Sequence, residues 1–222
     1  MRRAILLLPL SLSPVYAIGF WGSLGGGLNI GGFGESVDKR YRYIYYIWDT
    51  VIDASPKDFI AGMNLMGGIS LQPIPIAVGL GVDYYAGTQR YVLKFETDVW
   101  GTIEIEDTLE VNRIYIKLPV AYQLSLPVLK GYFGLYPAYA LYSWKEKGEP
   151  DTARINFKGF AFGGFTNLYY SLGPVGLGGG IFVDYAPSLK GRSKPDNTDV
   201  YINKVFHYGI NLGLLLSLGV FE

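Results

Sequence analysis

The sequence predicts an all-β protein: a closed antiparallel up-and-down transmembrane β-barrel of eight strands, or ten if a long connector folds its own hairpin. Three observations predict it. First, apolar residues recur at every second position through segment after segment, the period of a strand with one greasy face. Second, the connectors alternate in kind. Turns near Pro73, Pro127 and Pro174 are short and nearly uncharged, whereas those at Gly34, Gly87, Trp144 and Ser188 are long and carry most of the charge. Membrane barrels with short turns on one side and long loops on the other have this asymmetry. Third, the non-greasy face is mostly Gly, Ala, Ser and Asn. A soluble barrel covers its surface with many Lys and Glu, while small residues suit the crowded interior of a narrow closed barrel.

The stretch from Arg113 to Gln123 poses the question most sharply. Ile114, Ile116, Leu118, Val120 and Tyr122 share one face; Arg113, Tyr115, Lys117, Pro119, Ala121 and Gln123 hold the other. A soluble barrel would turn Leu118 inward and leave Lys117 in water. A membrane barrel would put Leu118 against hydrocarbon and Lys117 in the lumen.

The totals agree. The chain has 222 residues and zero formal net charge, which gives no basic footprint for nucleic acid. It has no cysteine, hence no disulfide frame, thiol nucleophile or lipid anchor on sulfur, and one histidine, His207. Thirty glycines and nineteen tyrosines beside few charges suit strands with close backbone approaches. No cofactor or metal set is evident. Met1-Arg2-Arg3, the apolar run Ala4 to Leu12 and the small-residue site Val15-Tyr16-Ala17 read as a signal peptide over 1–17, leaving 18–222 as a single barrel domain. No later stretch is long and apolar enough for a spanning helix, so the membrane would be crossed by strands.

In order, strand one takes Ile18, Phe20, Leu24, Leu28 and Ile30 on the greasy face. The charged connector Gly34 to Asp58 follows, with an aromatic run, Tyr41 to Trp48, that reads as a strand extension, a short helix or a lid. Strand two spans about Phe59 to Leu71 and strand three about Ile74 to Ala86. Inside the connector Gly87 to Asn112, Tyr91–Phe95 and Thr102–Ile105 look like β extensions or an extra hairpin. Strand four is Arg113 to Gln123, with Pro119 predicting a bulge or an unpaired carbonyl. Strands five to eight cover about Lys130–Tyr142, Phe157–Tyr170, Val175–Ala186 and Tyr208–Val220, with Phe165 out of step in strand six. The turns recur at roughly 50 residues, the scale of propeller blades, but no blade motif is visible. A lipocalin-like soluble barrel is the better rival, and it requires ligand-lining aromatics on the greasy face.

The runs Tyr115-Ile116-Lys117-Leu118-Pro119-Val120-Ala121-Tyr122 and Gly131-Tyr132-Phe133-Gly134-Leu135-Tyr136-Pro137-Ala138-Tyr139 resemble the fourth and fifth strands of the outer membrane protein β-barrel domain family. That family includes small eight-stranded barrels of OmpA and opacity type. The resemblance spans most of the mature chain on a loose motif. It implies an eight-stranded barrel in a bacterial outer membrane, without a fixed activity. Such chains usually end in an outward aromatic; here parity puts Val220 outward and Phe221 inward, with Glu222 last.

The parity places Asp83, Arg113, Lys117 and Asp184 in the lumen. Asp83 and Arg113 are expected at similar heights on neighbouring strands. Buried charges must pair, because an unpaired one costs several kcal/mol, so a plug of ion pairs is expected, with a gated polar path as the sharper alternative. Barrel lipid A deacylases need Ser and His on one strand; Gly209 stands where the serine is wanted. His207 with Asp199 could mimic an outer-membrane protease site, but the expected place of His207 is the barrel rim, with no catalytic role. Tyr84, Tyr142, Trp144, Tyr185, Tyr201 and Tyr208 are expected in the outer aromatic girdle, and Phe20, Phe59, Tyr122 and Tyr170 in the other. Gly25-Gly26-Gly27 and Gly178-Gly179-Gly180 lack the lysine and helix of a phosphate loop.

The resulting expectation is a non-enzymatic outer membrane protein, monomeric and porin-like in architecture. Its partners would be outer membrane lipid and a surface ligand taken by the outer loops. A narrow passive channel for small or apolar solutes is the alternative, and a lipid-modifying outer-membrane enzyme the weaker one.

Overall fold

The structure, a computed structural model, describes residues 17–37, 50–72, 74–97, 101–148, 154–192 and 199–219. The segment 1–17 expected as a signal peptide, except for Ala17, which opens the first strand, the Tyr41–Trp48 run and the last three residues lie outside the described residues. The regular elements are all strands: β1 (Ala17–Gly32), β2 (Glu35–Val37), β3 (Thr50–Pro56), β4 (Ile60–Gln72), β5 (Ile76–Thr97), β6 (Gly101–Lys117), β7 (Val120–Ser125), β8 (Leu129–Glu146), β9 (Ile155–Leu172), β10 (Val175–Arg192) and β11 (Asp199–Gly219).

Each wall strand pairs antiparallel with its neighbours, and β11 returns to β1 over a continuous register from Gly19↔Gly219 to Gly32↔Phe206. β6 and β7 are one wall strand interrupted at Leu118-Pro119; both lie between β5 and β8. The closed wall therefore has eight strands. Pro119 offers no donor, but its carbonyl is not left unpaired: the Gly79 amide donates to it at 3.0 Å, and the Leu118 amide donates to the Pro137 carbonyl at 3.0 Å. The extra hairpin does not form. Tyr91–Phe95 and Thr102–Ile105 pair with each other as direct continuations of β5 and β6, for example Phe95↔Ile103.

β5 has 22 residues, about twice the 9–11 that a tilted strand needs to cross a bilayer. The excess rises beyond one end of the barrel. There β2 and β3, drawn from the first connector, take the place of β1 and β4 in the wall. β2 pairs with β11 and β3 with β5, so this extension is also closed. The molecule thus has two storeys.

In the lower storey the greasy face is outside. Leu118 is 53 % exposed and Leu214 53 %, while Lys117 is 2 % and Asp83 3 % exposed. This is the inside-out arrangement, and the lipocalin-like alternative fails on it. In the upper storey the same parity carries the opposite polarity. Along β6 the outward residues run Thr102, Glu104, Glu106, Thr108, Glu110, Asn112 and then Ile114 and Ile116. The inward ones include Leu109 and Val111, then Arg113, Tyr115 and Lys117. The upper interior is an apolar core of Phe33, Leu93, Phe95, Trp144, Ile155 and Phe157. Its outer surface carries ion pairs such as Arg90–Asp58 at 2.8 Å and Lys94–Glu104 at 3.0 Å.

Near the junction β10 and β11 are irregular. Between Tyr185 and Lys190 the β9–β10 register shifts, and Lys204 adopts φ 52°. Val200 and Ile202 face inward on one side of this bulge and Val205 and His207 on the other. The extra residue is on β10, which has one more residue between Tyr185 and Lys190 than β9 has between their partners Phe162 and Lys158. β11 keeps its register with β10 as its own inward parity changes beside Lys204.

The girdles are partly corrected. Tyr84, Tyr185, Tyr201 and Tyr208 are exposed outward, as are Phe20, Tyr122 and Tyr170 near the short turns. Tyr142 and Trp144 instead face inward, because β8 keeps Tyr132, Tyr136, Ala138, Ala140, Tyr142 and Trp144 on one face. Phe59 is exposed but precedes β4 on the long-connector side, so it belongs to the outer girdle. Phe165 is in step after all: it points inward and packs on Tyr136, ring centroids 6.0 Å apart.

Candidate functional site

The lumen of the lower storey holds the predicted cluster. Asp83 on β5, Lys117 at the end of β6 and Asp184 on β10 meet across the interior because each falls on the inward parity of its strand. Lys117 Nζ lies 2.5 Å from Asp83 Oδ2 and 3.4 Å from Asp184 Oδ1. It also donates to the Tyr136 hydroxyl at 2.9 Å, and that hydroxyl donates to Asp184 Oδ1 at 2.5 Å. The ammonium rests 4.2 Å from the Tyr136 ring centroid, within cation–π range. One lysine therefore bridges two buried carboxylates. The residual space beside them is about 10 Å³, on the order of one water position. The cluster is closely packed.

Arg113 does not join this cluster. The expected match of height with Asp83 is two residues off: Asp83 pairs with Tyr115, and Arg113 with Tyr85. Arg113 instead anchors a second, higher network of neutral acceptors. Its guanidinium donates to Asn29 Oδ1 on β1, to the Gly31 carbonyl at 3.1 Å, to Gln89 Oε1 at 2.6 Å and to the Tyr91 hydroxyl at 2.7 Å. Its Cζ lies 5.4 Å from the Tyr142 ring centroid. Gln89 Nε2 in turn donates to the Asp58 carbonyl in the first connector. The Asp58 carboxylate accepts from Arg90 Nε and Nη2, both at 2.8 Å. These hydrogen bonds hold its pKa down at about 2. A chain of contacts thus runs from the interior of β1 to the outer surface.

His207 is not at the rim. It is buried on the inward face of β11, hydrogen-bonded through Nδ1 to the Tyr115 hydroxyl and stacked on Tyr142 at 5.9 Å. Asp199 is far along β11 and pairs with Lys190 at 2.7 Å. Parity alone signals this: Tyr208 and Ile210 face out, so His207 faces in. A Cβ on Gly31 would collide with the His207 ring, so glycine there lets β1 approach. Among the described residues no group of His, Asp and Glu is placed to hold a metal ion, and no helix is long and apolar enough to cross a membrane.

Eight antiparallel strands closed on themselves, with an apolar band outside and polar groups within, are the architecture of bacterial outer-membrane proteins. The chain has the fold of that class, a closed transmembrane β-barrel. No protein-family model matches the sequence, and no curated protein matches it. Among solved structures, Neisserial surface protein A is 13 % identical with a TM-score of 0.48, covering 89 % of this chain and 96 % of its own. A major outer membrane protein from Thermus thermophilus is 15 % identical with a TM-score of 0.49, over 90 % and 99 %. The outer membrane protein AlkL is 17 % identical with a TM-score of 0.46, over 92 % of each chain. The fold rests on the strand pairing and the burial, not on these likenesses.

Proposed function

We propose that the protein is a sealed, monomeric outer-membrane barrel with a structural or surface-interaction role, not a conduit and not an enzyme. The supporting observation is the stacking of two different plugs. The lower lumen is filled by the Lys117 cluster and the Arg113 network, and the upper lumen by the apolar core around Trp144 and Phe157. A solute would have to displace both. The described parts of the segments Gly34 to Asp58 and Gly87 to Asn112 build the closed wall of the upper storey itself, whose polar outer face suits a binding surface. Buried among tyrosines, His207 has no route to a substrate in bulk water and is a structural residue in this reading.

Planar-bilayer recording of the purified protein tests this. The wild type is expected to be silent, and Arg113→Ala to stay silent because the apolar core above still seals the lumen. The combined substitution of Trp144→Ala and Phe157→Ala with Arg113→Ala and Lys117→Ala, which thins every layer of the filling, is expected to produce conductance steps. Steps from the wild type would overturn the sealed reading in favour of the passive channel.

A further inference from the structure

On the outer face of the wall lie one basic cleft over β9 to β11 and, nearer the membrane, one apolar groove that also takes in β8 and β1. The cleft is on the upper storey, about 620 Å³ in volume, and is lined by Asn156 and Lys158 on β9, Lys190, Gly191 and Arg192 on β10, and Asp199 on β11. Lys158 and Lys190 are directly opposite each other across the strand pair. Like charges so placed repel, and Asp199, which holds Lys190 at 2.7 Å, answers only one of them. Among the described residues Lys158 makes no ion pair. An anion seated between the two lysines would relieve the repulsion.

The next outward residues on β9, toward the membrane, are Phe160 and Phe162, both strongly exposed, and then the small residues Gly164 and Thr166. These last two floor an apolar groove of about 1020 Å³ whose walls include Leu135, Ile181, Val183 and Ile210. From Lys158 to Gly164 the strand runs roughly 20 Å at ~3.3 Å per residue. With a strand tilt of about 45° this is some 14 Å of depth, within one leaflet of a ~30 Å hydrocarbon core. The cleft therefore sits at the water boundary, and the groove, which spans the outer faces of several strands, lies deeper, within the outer leaflet.

We infer that this face binds a phosphate-bearing lipid of the outer leaflet, with the phosphate between Lys158 and Lys190 and an acyl chain in the groove floored by Gly164 and Thr166. The basic groups at the boundary answer the anionic head, and the missing side-chain bulk answers the tail. The site depends on the membrane placement but not on whether the lumen is sealed.

The test uses the full mature chain folded into phosphatidylcholine vesicles carrying a small fraction of spin-labelled phosphatidylglycerol. The protein-bound fraction is read by electron paramagnetic resonance against labelled phosphatidylcholine. The wild type is expected to prefer the phosphatidylglycerol probe. Lys158→Gln should lower that preference roughly fivefold, the effect of about 1 kcal/mol per basic group near an anionic surface. Asp199→Asn, which removes the competing carboxylate, should raise it. Gly164→Leu should weaken retention of the labelled lipid while leaving its salt dependence intact. Inorganic phosphate at equal concentration should not displace the lipid; displacement would mean a free-anion site and would overturn the lipid assignment. An unchanged preference in Lys158→Gln, in protein that still shows the heat-modifiable gel shift of a folded barrel, would overturn the site itself.

Discussion

Leu80 and Thr88 stand on the same face of β5 and obey opposite rules. Leu80 is exposed to hydrocarbon, with Asp83 and Tyr85 on the inward face nearby; Thr88 is exposed to water, with Leu93 and Phe95 behind the same wall above it. The hydrogen-bonded strand is continuous from one to the other. Backbone geometry therefore assigns a side chain to the inside or the outside, and the surrounding solvent alone assigns its polarity. The wall is one object in two media.

The comparison breaks most readily at the lower plug. Lys117→Ala strands two carboxylates in the lumen, and removal of one partner from a buried charged network costs about 3–5 kcal/mol. The urea midpoint of the barrel in lipid vesicles should fall accordingly; an unmoved midpoint would mean that the cluster is not what holds the lower storey. The outer face gives the sharper contrast. Leu80→Arg should destabilise by about 2–4 kcal/mol, whereas Thr88→Arg on the same strand and face should change stability by less than about 0.5 kcal/mol. Equal effects would erase the boundary between the storeys. At the boundary itself, Lys204→Gly should stabilise by up to about 1 kcal/mol, because a side chain is strained at φ 52°. The smallest effect is the pH dependence of the upper storey. The Asp58 carboxyl, held by Arg90, titrates at about 2 instead of 3.8. A depressed carboxyl contributes fully above its unfolded value and loses that contribution as pH falls through its folded one. Protease sensitivity of the first connector should thus be flat from about pH 7 to about 4 and rise between about 4 and 2.

The lower storey is legible in the sequence because alternation is strict there and each face has one solvent. Lys117 between Ile116 and Leu118 is enough to orient β6. The upper storey is half legible. Tyr91–Phe95 and Thr102–Ile105 read as strand, but their inward apolar residues, Leu93, Phe95, Ile103 and Ile105, do not announce themselves as a core. The signal is present: on β6 the apolar parity passes from odd positions at Leu109 and Val111 to even ones at Ile114 and Ile116. Trp144 is misplaced by taking an aromatic near an outer strand end for girdle when its parity says interior. The partners of Arg113 are not legible. Asn29 is 84 positions away in the chain and comes from β1 across the lumen, a contact that no local period encodes. Nor is the use of Glu35–Val37 and Thr50–Pro56 as wall strands, since so short a β2 leaves no periodic trace.

β11 pairs with β1 below and with β2 above. The final strand is consequently the fastener of both levels at once, and until it docks, the lower sheet and its extension share one continuous open seam. One pairing step closes both levels, so a chain arrested before Asp199 would leave an unpaired edge running the length of both, ready to recruit a neighbour's strand.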